Sequence, residues 1–253
     1  MILRVLFFVT AVSGLGAAET LRVAAAANLV HAMTDLTAAF QDTHPDIKVE
    51  TSFGASGSLV AQIKHGAPYD VFLSADLDYP QALIATEHAR EDSLTIFAVG
   101  QLALWSSHAE RDMRDLATTL RSPSIQKIAI ANPATAPYGR AARQALMQLG
   151  LWTLLQPKLV IAENISQTAQ FVDSGNADLG FVALSSLKSP PLAGRGAWQI
   201  VPASLHSPLV QGAVITKRGA DNPAARKFMD FLRSDVARNV FARYGYDVPA
   251  SRE

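Results

Sequence analysis

"FGASGS", residues 53–58, joins the alternating run Ile47, Val49, Thr51 to the helically spaced set Leu59, Val60, Ile63. A strand passes into a helix here through a turn of Gly, Ala and Ser alone, with no charge in it. Two readings of the turn are open. Ser56 or Ser58 caps the helix, its side-chain oxygen accepting from a free N–H of the first turn. Alternatively, the hydroxyls and free N–H groups at this helix start hold an anion. Under both readings the unit is strand, turn, helix, from which parallel sheets with crossover helices are built.

The unit recurs along the chain. "LRVAAAA" (21–27) leads to a helix near 29–42, with Leu29, Met33, Leu36 and Phe40 at helical spacing. "DVFLSA" (70–75), "KIAIAN" (127–132) and "KLVIAEN" (158–164) each run into helical patterns near 78–86, from Tyr138, and near 166–174. "TIFAVGQLALWSS" (95–107) is too long for one ordinary strand and is expected to cross between two lobes. "ADLGFVAL" (177–184) and "LVQGAVITKR" (209–218) read as further strands, Pro223 to Tyr244 as two helices, and "KSPPLAGRGAW" (188–198) as a surface loop. The alternation predicts an α/β protein with parallel sheet.

In such sheets ligands lie beyond the carboxyl ends of the strands, where helix N-termini gather. Four junctions qualify: "AAANL" (25–29), "FGASGSL" (53–59), "NPATAPYG" (132–139) and "AENISQ" (162–167). They offer Asn28, Ser56, Tyr138 and the backbone around Ile165, all uncharged, with Glu163 beside the last.

The bulk composition narrows the classes. Arg4, the apolar stretch Val5 to Leu15, and Gly16 and Ala18 before Glu19 form a secretory signal with cleavage near Ala18. That stretch is too short for a spanning helix, which needs roughly 20 residues. The remaining 19–253 is expected to be soluble outside the cytoplasm. The chain has 22 basic and 22 acidic residues, and without Arg4 its net charge is −1. No basic excess draws nucleic acid. With no cysteine, disulfides and cysteine-ligated metals are excluded, and stability rests on an apolar core.

Enzyme motifs fail one by one. "GASGS" departs from G-x-S-x-G at its fifth position, Ser58, and His65, His88, His108 and His206 stand in no motif context. No H-E-x-x-H, P-loop or G-x-G-x-x-G occurs. Asp76 in "SAD" reads as a helix cap, and "YGY" (244–246) as a Gly cap between packing aromatics. Trp105, Trp152 and Trp198 read as packing residues.

Over its length beyond the signal the chain resembles the periplasmic molybdate-binding proteins that feed ABC importers. "AAAANLVHAM" (24–33), "FGASGSLVAQIKHGAPYDVFLSAD" (53–76), "IAIANPATAPYG" (128–139), "ADLGFVAL" and "QGAVITKRG" (211–219) carry the resemblance. It implies a two-lobe periplasmic binding protein fold of the type II kind, with the ligand cleft between lobes: residues 19–98 with 210–253 in lobe 1 and 99–209 in lobe 2. It implies no catalysis and no cofactor. The ligand is molybdate or tungstate, bound as an oxyanion by Asn28, Ser56, Tyr138, the Ile165 backbone N–H and Ala27. Relatives with a small residue in place of Tyr138 carry a binding tyrosine where this chain has Ala183, so one tyrosine hydroxyl is kept. The partners implied are an inner-membrane ABC permease with its cytoplasmic ATPase, served by a monomer. A carrier of sulfate or phosphate, or a Ser56-dependent hydrolase, stand as alternatives.

Overall fold

The structure, a computed structural model, describes residues 19–248; the signal segment expected over 1–18 lies outside the described residues. The chain order starts with β1 (Glu19–Ala26), a 3-10 turn (Ala27–Leu29), α1 (Val30–Thr43), β2 (Ile47–Gly54), α2 (Ser56–Lys64), β3 (Val71–Ser74) and α3 (Asp78–Ala85). Next come β4 (Thr95–Gly100), β5 (Leu102–Ser106), α4 (Leu116–Arg121), β6 (Ile128–Ala131), α5 (Pro137–Gln148) and α6 (Trp152–Leu155). The remainder is β7 (Leu159–Ala162), α7 (Ile165–Asp173), β8 (Leu179–Ala183), α8 (Leu184–Lys188), β9 (Ala197–Ile200), β10 (Leu209–Ile215), α9 (Pro223–Leu232) and α10 (Asp235–Arg243).

Two five-stranded sheets result, ordered β2-β1-β3-β10-β4 and β7-β6-β8-β5-β9. Their central strands β3, β6 and β8 are buried along their whole length, as strands covered by helices on both faces must be. The sheets are mixed, where the sequence pattern predicts parallel ones. β1, β2 and β3 run parallel, as do β6, β7 and β8, but β10 pairs antiparallel with β3 and β4, and β5 with β8 and β9. The antiparallel members are the strands that arrive from the other sheet: β5 leaves the first for the second, and β10 returns. The long run 95–107 thus splits at Gly100–Gln101 into two strands in two sheets. β9, an edge strand with half its residues exposed, grows out of the expected surface loop at 188–198.

Each sheet has its own apolar core. Leu21, Leu36, Phe40, Phe228 and Phe241 pack the first against α1, α9 and α10. Leu104, Ile130, Ala142, Leu146 and Phe181 form the second, and that cluster continues across the junction through Ala26, Ala27, Ala55 and Ala75. Alanines there let the backbones of the two halves approach closely.

Candidate functional site

The four junctions meet. Ala27, Asn28, Ser56, Tyr138 and Ile165 line one small cavity together with Ala26, Gly54, Ala55, Ala75, Ala136, Pro137 and Asn164. Each of the five is at most 4 % exposed. They come from the carboxyl ends of β1, β2, β6 and β7, two in each sheet, so neither half builds the cavity alone. Its volume is about 10 Å³, about what one water-sized sphere occupies. Pockets for organic ligands usually span about 300–1,000 Å³. The room suits a small ion, and no charged side chain lines it.

The helix starts explain why an anion fits. Ser56 does not cap α2: the N-cap is Ala55, without a side-chain cap bond, and Ser56 is the first helical residue. Its hydroxyl oxygen accepts from the Ala75 N–H at 3.1 Å, which leaves the hydroxyl proton free for the cavity. α5 likewise starts at Ala136 with no side-chain cap, with Pro137 in its first turn and Tyr138 after it. In α7 the Asn164 side chain takes the N–H groups of Ser166 and Gln167, and the Ile165 N–H stays outside that cap. Unsatisfied N–H groups and the positive ends of helix dipoles therefore gather at the cavity.

A buried polar network stands behind it. Asn28 spends both side-chain N–H donors, one on Gln211 Oε1 at 3.0 Å and one on the Tyr246 hydroxyl oxygen at 2.9 Å. The Asn28 backbone carbonyl accepts from Tyr246 and from Ser185, each at 2.9 Å. Its side-chain oxygen is buried with no partner. Burial pushes the Tyr138 phenol well above its ordinary value near 10, helped by Tyr246 and opposed by the Gln211 hydrogen bond. Tyr246 is raised too, again by burial. Both remain neutral donors.

In a neighbouring pocket that shares Pro137 with the cavity, Asp76 after β3 faces Arg140 on α5, and Arg140 also lies over the Tyr79 ring, 5.2 Å from its centroid. Burial raises the Asp76 carboxyl, against hydrogen bonds from the Tyr79 N–H and Ser74 and the charge of Arg140. The Gly57 N–H donates to the Thr135 carbonyl at 2.9 Å beside it, a second tie between the halves.

Of the histidines weighed for a hydrolase, His65, His88 and His206 bond to backbone carbonyls near themselves, and His108 pairs with Glu110. None lines the cavity with Ser56.

The sequence profile of the bacterial extracellular solute-binding protein family matches residues 21–247. The Molybdate-binding protein ModA of Azotobacter vinelandii is 43 % identical over 231 residues, 90 % of each chain. The chain belongs to this solute-binding family and groups with its molybdate-binding members. The Rhodobacter capsulatus Molybdate-binding protein ModA is 38 % identical, covering 88 % of this chain and 86 % of its own. Among solved structures, the Azotobacter vinelandii periplasmic molybdate-binding protein superposes with a TM-score of 0.86 at 36 % identity, over 91 % of this chain and all of that one. The sulfate-binding protein SubI of Mycobacterium tuberculosis, at 16 % identity and TM-score 0.74, shares the fold alone. The architecture is therefore the two-lobe periplasmic binding protein fold, and its family members are transport proteins.

Three residues of this site carry no signal of their own in the sequence: Gln211, Asn164 and Arg140. Asp76 and Tyr246 were read as a cap and a packing aromatic. Asp76 does accept from the Tyr79 N–H at 3.3 Å, but it also crosses to Arg140, and the Tyr246 hydroxyl reaches Asn28.

Proposed function

We propose that this chain captures molybdate, and tungstate equally, in the cavity between its halves and delivers it to an ABC importer. The observation that carries the reading is the cavity itself: small, buried, shared by both sheets, and lined by neutral donors at helix starts. A tetrahedral dianion with four acceptor oxygens matches such a lining without Lys or Arg. Ser56 and Tyr138 donate through their hydroxyls, Ile165 and Ala27 through backbone N–H groups. Asn28 acts from its backbone, since both donors of its amide are committed elsewhere.

The lobe bounds expected from the sequence, 98/99 and 209/210, move here to the strand ends, so that 19–100 with 209–248 form one lobe and 101–208 the other, moving about the two connections at Gly100–Gln101 and 201–208. The protein works as a monomer in the periplasm and docks in its closed form on an inner-membrane permease driven by a cytoplasmic ATPase. Titration calorimetry of residues 19–253 against molybdate, tungstate, sulfate and phosphate tests the reading. Tight molybdate and tungstate binding supports it; preference for sulfate or phosphate replaces it with a general oxyanion carrier. Labelling of Ser56 by a fluorophosphonate would favour a hydrolase.

A further inference from the structure

Gln211 does not line the cavity, yet it touches two residues that do. It sits on β10, fully buried, and its carboxamide accepts from Asn28 Nδ2 at 3.0 Å while its Nε2 donates to the Tyr138 oxygen at 3.4 Å. A buried Gln needs partners for both ends of its amide, and here both ends serve the site. We propose that Gln211 is the positioning residue that sets the direction of hydrogen bonding at Tyr138. Because the phenolic oxygen accepts from Gln211, its single proton is left to point at the bound anion. The proposal rests on the oxyanion reading above.

Two further features are built around this contact. The β10–β4 register shifts between Gln211 and Gly212, where β4 carries the extra residue Phe97, a bulge of the kind found beside functional sites. Two residues beyond Ala98, which faces Gln211, Gly100 ends β4, and a Cβ there would stand only 2.6 Å from Gln211 Nε2 and would collide with the Tyr138 hydroxyl. The missing side chain leaves room for the contact. Gln211 and Gly100 belong to the first sheet and Tyr138 follows β6 of the second, so the hydroxyl is aimed only when the halves are together.

A double-mutant cycle on molybdate affinity tests this. Gln211→Met keeps the length and removes both polar ends. It should weaken binding about 5- to 20-fold in the wild-type background. In a Tyr138→Phe background, which has no hydroxyl to aim, the same change should cost less than about threefold. Gln211→Leu, which likewise removes both polar ends, should show the same dependence on Tyr138, and serves if Gln211→Met does not fold. Losses of equal size in both backgrounds, or unchanged affinity in a folded Gln211→Met protein, would overturn the proposal while leaving the oxyanion reading intact. A wild-type protein that does not bind molybdate removes both.

Discussion

The guanidinium of Arg140, on the first turn of α5, donates to the carboxylate of Asp76, at the end of β3 in the other sheet. The Asp76 side chain is 11 % exposed and that of Arg140 34 %, so this is a partly desolvated pair rather than a solvated surface one. It joins the two halves in a pocket that adjoins the cavity at Pro137. A separated form would return both charges to water, so the pair contributes to the closed form only.

Arg140→Ala should therefore act on release. A hydrogen bond between charged groups contributes about 1.5–3 kcal/mol; with Arg140 partly exposed the lower end applies, about 10-fold in affinity. Stopped-flow measurements should show faster molybdate dissociation with association little changed. Small-angle scattering should show the wild type shrinking on molybdate addition and the variant needing more ligand to do so. An unchanged dissociation rate would reduce the pair to a surface contact.

Ser56 and Tyr138 contribute side-chain donors inside the cavity, with their oxygens already engaged by Ala75 N–H and Gln211. Ser56→Ala or Tyr138→Phe should each weaken binding by about 10- to 150-fold, at about 1.5–3 kcal/mol per hydrogen bond to a charged group. Ser58, half-buried and outside the cavity lining, should lose less on Ser58→Ala. Calorimetry on the three variants checks the order, and equal affinity of wild type and Ser56→Ala would remove Ser56 from the site.

Much of this was legible locally. The residues at 25–29, 53–59, 132–139 and 162–167 announce strand-to-helix turns through period and composition, and all four contribute to one cavity. That they converge depends on sheet order, which no local pattern encodes; the family resemblance supplied it. Gln211 was hidden because one polar residue in "LVQGAVI" looks like ordinary strand alternation, and its partners Asn28 and Tyr138 lie 183 and 73 residues away in the chain. Arg140 and Asp76 lie 64 residues apart, so their pairing exists only in three dimensions. In "YGY", Gly245 does adopt the left-handed φ of 75° expected of a cap, but the reach of Tyr246 to Asn28 spans 218 residues.

The raised phenols fix the alkaline behaviour. Burial lifts Tyr138 and Tyr246 above the ordinary value near 10, so the folded protein holds their protons where the unfolded chain releases them. Their contribution to stability is complete below about pH 10 and is lost as pH rises through the raised values. Urea unfolding at pH 8, 9, 10 and 11 should show stability falling above 10, with a shallower fall in Tyr246→Phe. Molybdate affinity should stay level from pH 7 to about 10, because Tyr138 remains a donor throughout. A drop in affinity centred well below 10 would mean that Tyr138 ionises there and is not the buried phenol described.

Selectivity follows from what the walls are made of. Ala26, Ala27, Gly54, Ala55, Ala75 and Ala136 carry little or no side chain, and five of them end or directly follow strands held in the sheets. Such walls are backbone, and they cannot close in on a smaller ion as a flexible Lys or Arg would. No cation is present to attract every dianion alike. Molybdate and tungstate nearly coincide in size and exceed sulfate, so donors set for their oxygens leave sulfate with stretched bonds. Each poorly bonded buried group costs about 1–3 kcal/mol, and three of them at about 2 kcal/mol each exceed a thousandfold in affinity at about 1.4 kcal/mol per tenfold. Molybdate and tungstate should therefore bind with similar affinity, and millimolar sulfate should fail to displace micromolar molybdate in competition calorimetry. Displacement under those conditions would show that the walls yield, and would turn the assignment toward a general carrier of tetrahedral anions.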